Sequence, residues 1–398
     1  MKNILLSATA AAIAVSSLGA KTITLYQDKN SGAIYTKPGP DRIKLGTFVS
    51  AEESDTGYAD TKKMAKGIKA TVVKSKVKTL KISGKHYLGF THINYADSKK
   101  DDISRFETRR NYLQVKAYWN STDYARITLD TFQQYNDTGS KDDGSWLVRL
   151  KYAYIYLDEI LPYTGIEFGQ VHRPWIDWEE HHGWWYRSIA KTFVEEKKGA
   201  HLTNSADLGF NLKTKTDYFS SEIGLFNGEG YHDTTTEVNT DLSFEWRLTA
   251  NLLGTGKKKV SMSDEYADIS FLGQLNQNYQ NYKTMNWYGI HGVYNNPMFL
   301  LAGIYVKSDN DGGEYEGKGW SVNGEFRPIK KWSILGRYDN WDVEKTGKYY
   351  TRTQWIAGAA YKYNKNVKFI GNLFYIDPSD KVSDDEETRY MFTAEVKW

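Results

Sequence analysis

The sequence predicts an all-β protein, a transmembrane antiparallel β-barrel of about sixteen strands, on three observations. From about residue 77 to the C-terminus, segments of roughly ten residues alternate apolar and polar side chains with period two, the pattern of a strand with one face toward lipid and the other toward water. Short turns alternate with long polar loops, as in outer-membrane barrels. Aromatic residues make up 15% of the chain, with 30 Tyr, 13 Trp and 16 Phe, and gather at segment ends, where an amphipathic ring suits the headgroup level of a bilayer.

Composition narrows the alternatives. Charged residues are 25% of 398, and beyond the N-terminus no stretch approaches the roughly 20 apolar residues of a spanning helix. A barrel needs only every second strand residue to be apolar. The aromatic and β-branched content argues against disorder. There is no Cys, so an exported chain must hold its fold without disulfides, and a closed barrel does so with its hydrogen-bond ladder.

In chain order, Lys2, the apolar run Ile4 to Val15 and the small residues ending at Ala20 read as a secretory signal peptide over 1–20. Its removal leaves 51 basic against 49 acidic residues, a net charge near +2 and no nucleic-acid footprint. Residues 21–76 form a periplasmic N-terminal extension with a hairpin-like run around Gly32, a Pro-Gly-Pro turn at 38–40, the segment Ile43 to Phe48 and a lysine-rich stretch from Lys62 to Lys78; partly helical or disordered structure is expected there. The barrel, 77–398, has strands at 79–92, 104–119, 124–133, 146–157, 165–172, 206–216, 218–228, 242–252, 267–277, 286–294, 298–307, 319–328, 332–341, 353–363, 367–376 and 388–398. The connection from Leu253 to Tyr266, with Gly254, Gly256 and three lysines, is too long for its place among the short turns, which leaves counts of fourteen or eighteen open. Trp119, Trp146, Trp332, Trp341 and Trp398 fall at strand ends and form the expected interfacial girdles; a chain ending on Trp inside a strand resembles the assembly signal of outer-membrane barrels.

The longest loop, about 173–205, is the third of the long loops. It holds four of the thirteen Trp and, with His172 and His201, four of the eight His. So apolar a loop must pack somewhere, and folded into the open lumen of a sixteen-stranded barrel it narrows the path. That places Arg173, Asp177, Glu179, Glu180, Arg187 and Lys191 at a constriction. The Glu-Glu-His-His run at 179–182 invites a metal reading, but adjacent His diverge and no ligand spacing supports a tetrahedral site. Ser188 lacks an elbow or triad pattern. On the water-facing sides of the strands stand Arg110, Lys116, Arg126, Arg149, Lys151, Arg247, Arg327, Arg337 and Arg389, against Asp130, Glu245, Glu325, Asp339 and Glu395. This excess favours anions.

The run Arg105-Phe106-Glu107-Thr108-Arg109-Arg110-Asn111-Tyr112 with Lys116, followed by Tyr124-Ala125-Arg126-Ile127-Thr128-Leu129-Asp130, resembles a strand pair of the phosphate-selective porin O and P family. Leu25 to Lys29 through Lys44-Leu45-Gly46, and Gly169 to Trp175, are similar to relatives of that family in epsilon-class proteobacteria. The resemblance implies a sixteen-stranded homotrimeric channel with an inward-folded third loop and lumenal arginines that conduct phosphate; the third loop here is instead rich in Trp, Glu and His.

The expectation is therefore a passive diffusion channel of the cell outer membrane for small ions and hydrophilic solutes, with a weak anion preference, no catalysis, no cofactor and no metal. Its pore is lined by Arg110, Lys116, Arg126, Arg149, Arg173, Asp177, Glu179, Glu180, Arg187 and Lys191. The alternatives are a Trp-rich soluble periplasmic glycan-binding β protein and a barrel hydrolase using Ser188 with His181 or His182.

Overall fold

A computed structural model describes residues 23–30, 33–48, 76–97, 100–133, 146–228, 230–231, 242–277, 284–309, 316–345, 348–377 and 386–398. The signal peptide read at 1–20 and the lysine-rich residues 62–75 lie outside these. The chain divides into two compact units, Met1–Lys74 and Ser75–Trp398.

In the first unit β1 (Ile23–Asp28) pairs with both β2 (Ile34–Tyr35) and β3 (Arg42–Phe48) to give a small antiparallel sheet. Where the sequence left room for helix, the described part is sheet. The turn before β3 is closed by Asp41 in the left-handed region, φ 63°, and by the Arg42 guanidinium 3.4 Å above the Tyr35 ring.

The second unit is a closed barrel of sixteen antiparallel strands. These are β4 (Thr79–Tyr95), β5 (Ile103–Tyr118), β6 (Tyr124–Gln133), β7 (Trp146–Leu161), β8 (Thr164–His172), β9 (Ala206–Lys215), β10 (Phe219–Phe226) and β11 (Ser243–Asn251). The rest are β12 (Tyr266–Gln277), β13 (Thr284–Asn295), β14 (Phe299–Asp309), β15 (Gly317–Ile329), β16 (Trp332–Lys345), β17 (Lys348–Lys362), β18 (Val367–Asp377) and β19 (Glu387–Lys397). Each pairs with its neighbour in sequence, and β19 pairs with β4 to close the ring, so no strand edge meets lipid. At that seam Gly84 and Trp398 exchange two backbone hydrogen bonds, 2.8 and 3.1 Å. Gly84 is required there, because a Cβ would sit 2.4 Å from the Trp398 ring.

Alternation sets the two faces. Phe244 on β11, Trp320, Val322 and Phe326 on β15, and Tyr390 and Phe392 on β19 point outward and are exposed, forming a belt suited to lipid. Their neighbours Ser243, Glu245 and Arg247, Ser321, Asn323 and Glu325, and Thr393 and Glu395 point inward and are buried. Trp119, Trp146, Trp332 and Trp398 are exposed, as a girdle requires, but Trp341 is 1% exposed. β16 runs on to Lys345, so Trp341 is not at a strand end; it faces the lumen and meets the Phe193 ring edge-on at 6.1 Å.

Besides irregular pairing next to the β7–β8 and β15–β16 turns, two one-residue bulges break the alternation in mid-strand. Tyr87 pairs with Arg110 and Leu88 with Thr108, leaving Arg109 as an extra residue on β5. Thr128 pairs with Tyr152 and Leu129 with Leu150, leaving Lys151 extra on β7. A bulge puts two consecutive residues on one side. Arg109 thus reaches Thr91 and Thr393 inside the barrel while Arg110 reaches Asp130, and Lys151 and Tyr152 are both buried.

Candidate functional site

The third loop, 173–205, fills much of the lumen. Arg173 pins its two ends: the guanidinium, 2% exposed, donates to Thr203 Oγ1 at 2.6 Å, Asp207 Oδ2 at 2.8 Å and the Gly228 carbonyl at 2.8 Å. Between these ends lies the helix α1 (Ile176–His182). One side of it buries Ile176 and Trp178, and with Trp175, Phe193, Val194 and Leu202 they pack on inward residues of β12 to β16, including Leu272, Val293, Leu300, Ala302, Ile304 and Val306. Trp184, Tyr186, Ile189 and Ala190 continue the contact onto Leu335, Ile356, Ile370, Phe374 and Met391 of β16 to β19. Burial of this apolar surface holds the loop inside. Carbonyls that leave water are met by side chains from the wall, as when Asn323 donates to Gly183 at 2.7 Å, Tyr266 to His182 at 2.6 Å and Arg337 to Lys191 at 2.5 Å. Inside the loop Arg187 is clamped between Glu180 and the buried Glu195, and the His182 ring stacks on Trp178 at 4.2 Å and 6°.

The other face of α1 looks across a cavity of about 370 Å³ at the wall made by β4 to β7. Seven cations line it, Lys85, Lys116, Arg126, Lys151, Arg187, Lys259 and Lys397, against two carboxylates, Asp177 and Glu180. Tyrosines hold the wall cations in place. Arg126 lies 4.4 Å over the Tyr152 ring and donates to Tyr154 Oη at 3.1 Å. The Lys116 ammonium is 4.2 Å above Tyr124, and Lys151 donates to Tyr112 Oη at 2.8 Å. Donors fixed in a partly desolvated cavity exert a stronger field than the same groups in bulk water.

Of the ten residues singled out from sequence, Lys116, Arg126, Asp177, Glu180 and Arg187 line this cavity. Arg110 and Arg149 share Asp130, at 3.2 and 2.8 Å, and tie the wall together beside it. Three sit away from it. Arg173 is the buried pin of the loop ends, Lys191 pairs with Glu195 at 3.4 Å, and Glu179, 4% exposed, lies on the buried side of α1. One helical turn cannot aim Glu179 and Glu180 at the same surface. Burial pushes the Glu179 carboxyl up to about 8. Most of the other inward cations are neutralised in place, Arg247 by Glu222 at 3.4 Å, Arg327 by Glu325 at 3.2 Å and Arg337 by Asp339 at 2.6 Å.

Sequence reasoning missed Lys85, Lys259 and Lys397. Lys259 comes from the long connection 252–265, which does not add strands but folds back into the barrel from the short-turn end. Val260 joins the apolar cluster under the third loop, and Lys259 reaches the cavity. The lysine triplet 257–259 beside a buried Val was the available signal.

No protein-family model matches the chain, and no curated protein matches it. Solved structures do. An anion-selective porin from Comamonas acidovorans superposes with a TM-score of 0.60 at 11% identity over 80% of this chain and 99% of its own. OprB of Pseudomonas putida gives 0.59 at 9% over 81% and 94%, and the trimer form of OmpT, an outer membrane protein of Vibrio cholerae, gives 0.53 at 13% over 80% and 100%. The fold is that of outer-membrane porins. Within this porin fold the third loop and the basic wall face each other across a cavity that is polar on both sides.

Proposed function

We propose that the protein is a passive diffusion channel of the outer membrane for small hydrophilic solutes, with a preference for anions. The observation that carries the reading is that seven cations and two carboxylates line the cavity between the third loop and the β4–β7 wall, and that beyond Arg187, paired with Glu195, and Lys397, paired with Glu395, the other five form no ion pair among the described residues. An anion passing there exchanges part of its hydration for fixed ammonium, guanidinium and tyrosine donors, and the guanidinium groups keep their charge at any working pH. Asp177 and Glu180 oppose it, which keeps the preference moderate. The arginine-rich strand pair at 105–130 supports an affiliation with the phosphate-selective porin family, without a phosphate-specific site. A homotrimer is the proposed assembly, supported by the trimer form of the Vibrio cholerae protein; native mass determination in detergent checks it.

The proposal includes no catalysis. Ser188, the candidate nucleophile of the hydrolase alternative, is 2% exposed and its hydroxyl has no hydrogen-bond partner among the described residues, which supports the channel reading over that alternative. The deciding experiment is planar-bilayer conductance in a salt gradient: steady open channels with an anion-signed reversal potential are expected, and folded protein that does not conduct sinks the reading.

A further inference from the structure

We propose that the periplasmic rim between the β15–β16 and β17–β18 turns binds an anionic phospholipid of the inner leaflet. The periplasmic placement rests on the outer-membrane reading, in which short turns face the periplasm. A cavity of about 590 Å³ opens there, lined by Arg327, Lys330, Lys331, Lys362, Lys365 and Lys368 and by no carboxylate. Three of the six have structural partners. Arg327 donates to the carbonyls of Met262 and Asn296 and pairs with Glu325, Lys368 pairs with Glu395 at 3.5 Å, and Lys331 donates to the Tyr363 carbonyl at 3.2 Å. Lys330, Lys362 and Lys365 are exposed and form no ion pair among the described residues. Like charges gathered on one short arc repel unless an anion sits among them.

Elsewhere on the same end of the barrel the charge is mixed: the turns that join β5 to β6, β7 to β8 and β9 to β10 carry or flank Asp123, Asp158, Glu159 and Asp217 beside Lys215, and Lys257, which reaches that side, pairs with Asp217 at 3.7 Å.

The lining also has an apolar part. Ile329, Trp332 and Tyr363 belong to it and are 63%, 46% and 56% exposed, and Trp332 lies against Tyr361 with ring centroids 4.9 Å apart. A free inorganic anion has no use for that surface. An amphiphile uses both: its phosphate meets the lysines, and its glycerol and acyl chains lie on the aromatic rim at headgroup depth.

Native mass spectrometry of the delipidated, full-length protein tests the site with three probes, phosphatidylglycerol, phosphatidylcholine and soluble glycerol phosphate. Phosphatidylglycerol is expected to stay bound in preference to phosphatidylcholine, and glycerol phosphate at equal concentration is expected not to displace it. The triple variant Lys330→Gln, Lys362→Gln, Lys365→Gln, its folding checked by heat-modifiable gel migration, should weaken phosphatidylglycerol binding roughly a hundredfold, and Lys257→Gln beside Asp217 should leave it unchanged. If the triple variant does not fold, Lys365→Gln alone should weaken binding by a factor of roughly a few. Equal retention of the two lipids, undiminished binding by the charge variants, or an equal effect of Lys257→Gln overturns the proposal. Displacement by glycerol phosphate also overturns it, in favour of a site for free anions. The readout is lipid binding alone, so the result is separable from whether the pore conducts.

Discussion

The two halves of the barrel interior have opposite chemistry. From β12 to β19 many lumen-facing positions are aliphatic or aromatic, and the third loop covers them. From β4 to β7 the cavity-facing positions are polar, with Lys85, Lys116, Arg126, Lys151, Tyr112 and Tyr152 among them, and the loop leaves them uncovered. The contrast shows that an apolar inner wall is what makes a loop fold inward, and that the position of the water path follows as the complement of that contact. The basic wall meets the loop through Asp177, Glu180, His181 and Arg187 around the cavity, and by hydrogen bonds from Arg109 to the Ser188 carbonyl at 3.1 Å and from Tyr152 to the Ser205 carbonyl at 3.4 Å.

Breaking the apolar contact should have the largest effect. Phe193 is 0% exposed in the cluster between loop and wall, and Phe193→Ala is expected to cost about 3–5 kcal/mol of loop docking. The expected result is a larger, noisier single-channel conductance and protease cleavage within 173–205; an unchanged channel would mean that the loop is held by its hydrogen bonds and not by burial.

Charge removal from the basic wall comes next. Lys116→Gln with Arg126→Gln should shift the reversal potential toward cations, lowering the anion-to-cation permeability ratio on the order of tenfold, from roughly 1 kcal/mol per charge in contact range. No shift would place the conducting path elsewhere.

A finer division falls on two adjacent loop carboxylates. Glu180→Gln should raise anion preference by a factor of roughly a few, while Glu179→Gln should leave it unchanged, because only Glu180 lines the cavity. The reversal potentials of the two single variants decide between this geometry and one in which both face the pore.

The smallest effect is on pH dependence. The folded-state Glu179 carboxyl, raised by burial from 4.5 to about 8, holds its proton where the unfolded chain has released it. This group's contribution to stability is therefore complete below about 4.5 and is lost as pH rises toward about 8. Thermal unfolding at pH 6 and pH 9 should show a destabilisation at the higher pH that Glu179→Gln reduces; an equal drop in the variant would assign it to other groups.

Strand positions were legible because period two over ten residues fixes both a strand and its faces, as at Leu242 to Leu252 and Tyr390 to Trp398. The bulges were not. An extra residue reverses the reading locally, so strict alternation turned Arg109 toward lipid although it lies among Thr91, Glu107 and Thr393. The docking wall was legible in principle: β14 is apolar on its inner side at Leu300, Ala302, Ile304 and Val306 as well as on its outer side at Leu301 and Tyr305, the mark of a strand covered on both faces. Half of the candidate pore residues line the cavity, Asp177, Glu180 and Arg187 through their loop's position and Lys116 and Arg126 through strand alternation. The others were separated by details of helix facing and pinning that spacing cannot resolve, and Lys85, Lys259 and Lys397 come from segments distant in sequence that only barrel closure brings together.

The seam between Gly84 and Trp398 joins the first and last strands of the barrel. The third loop, complete by residue 205, finds its resting surface on strands that begin at Tyr266 and end at the C-terminus, and the Arg109 link to Thr393 spans 284 residues. Until the last strands are made, the loop's four tryptophans have nothing to cover them, and such long-range contacts form slowly. A chain whose barrel has not closed leaves this apolar loop surface at 173–205 uncovered and adhesive. Closing the ring at Trp398 then both removes the last open strand edge and seals the loop within.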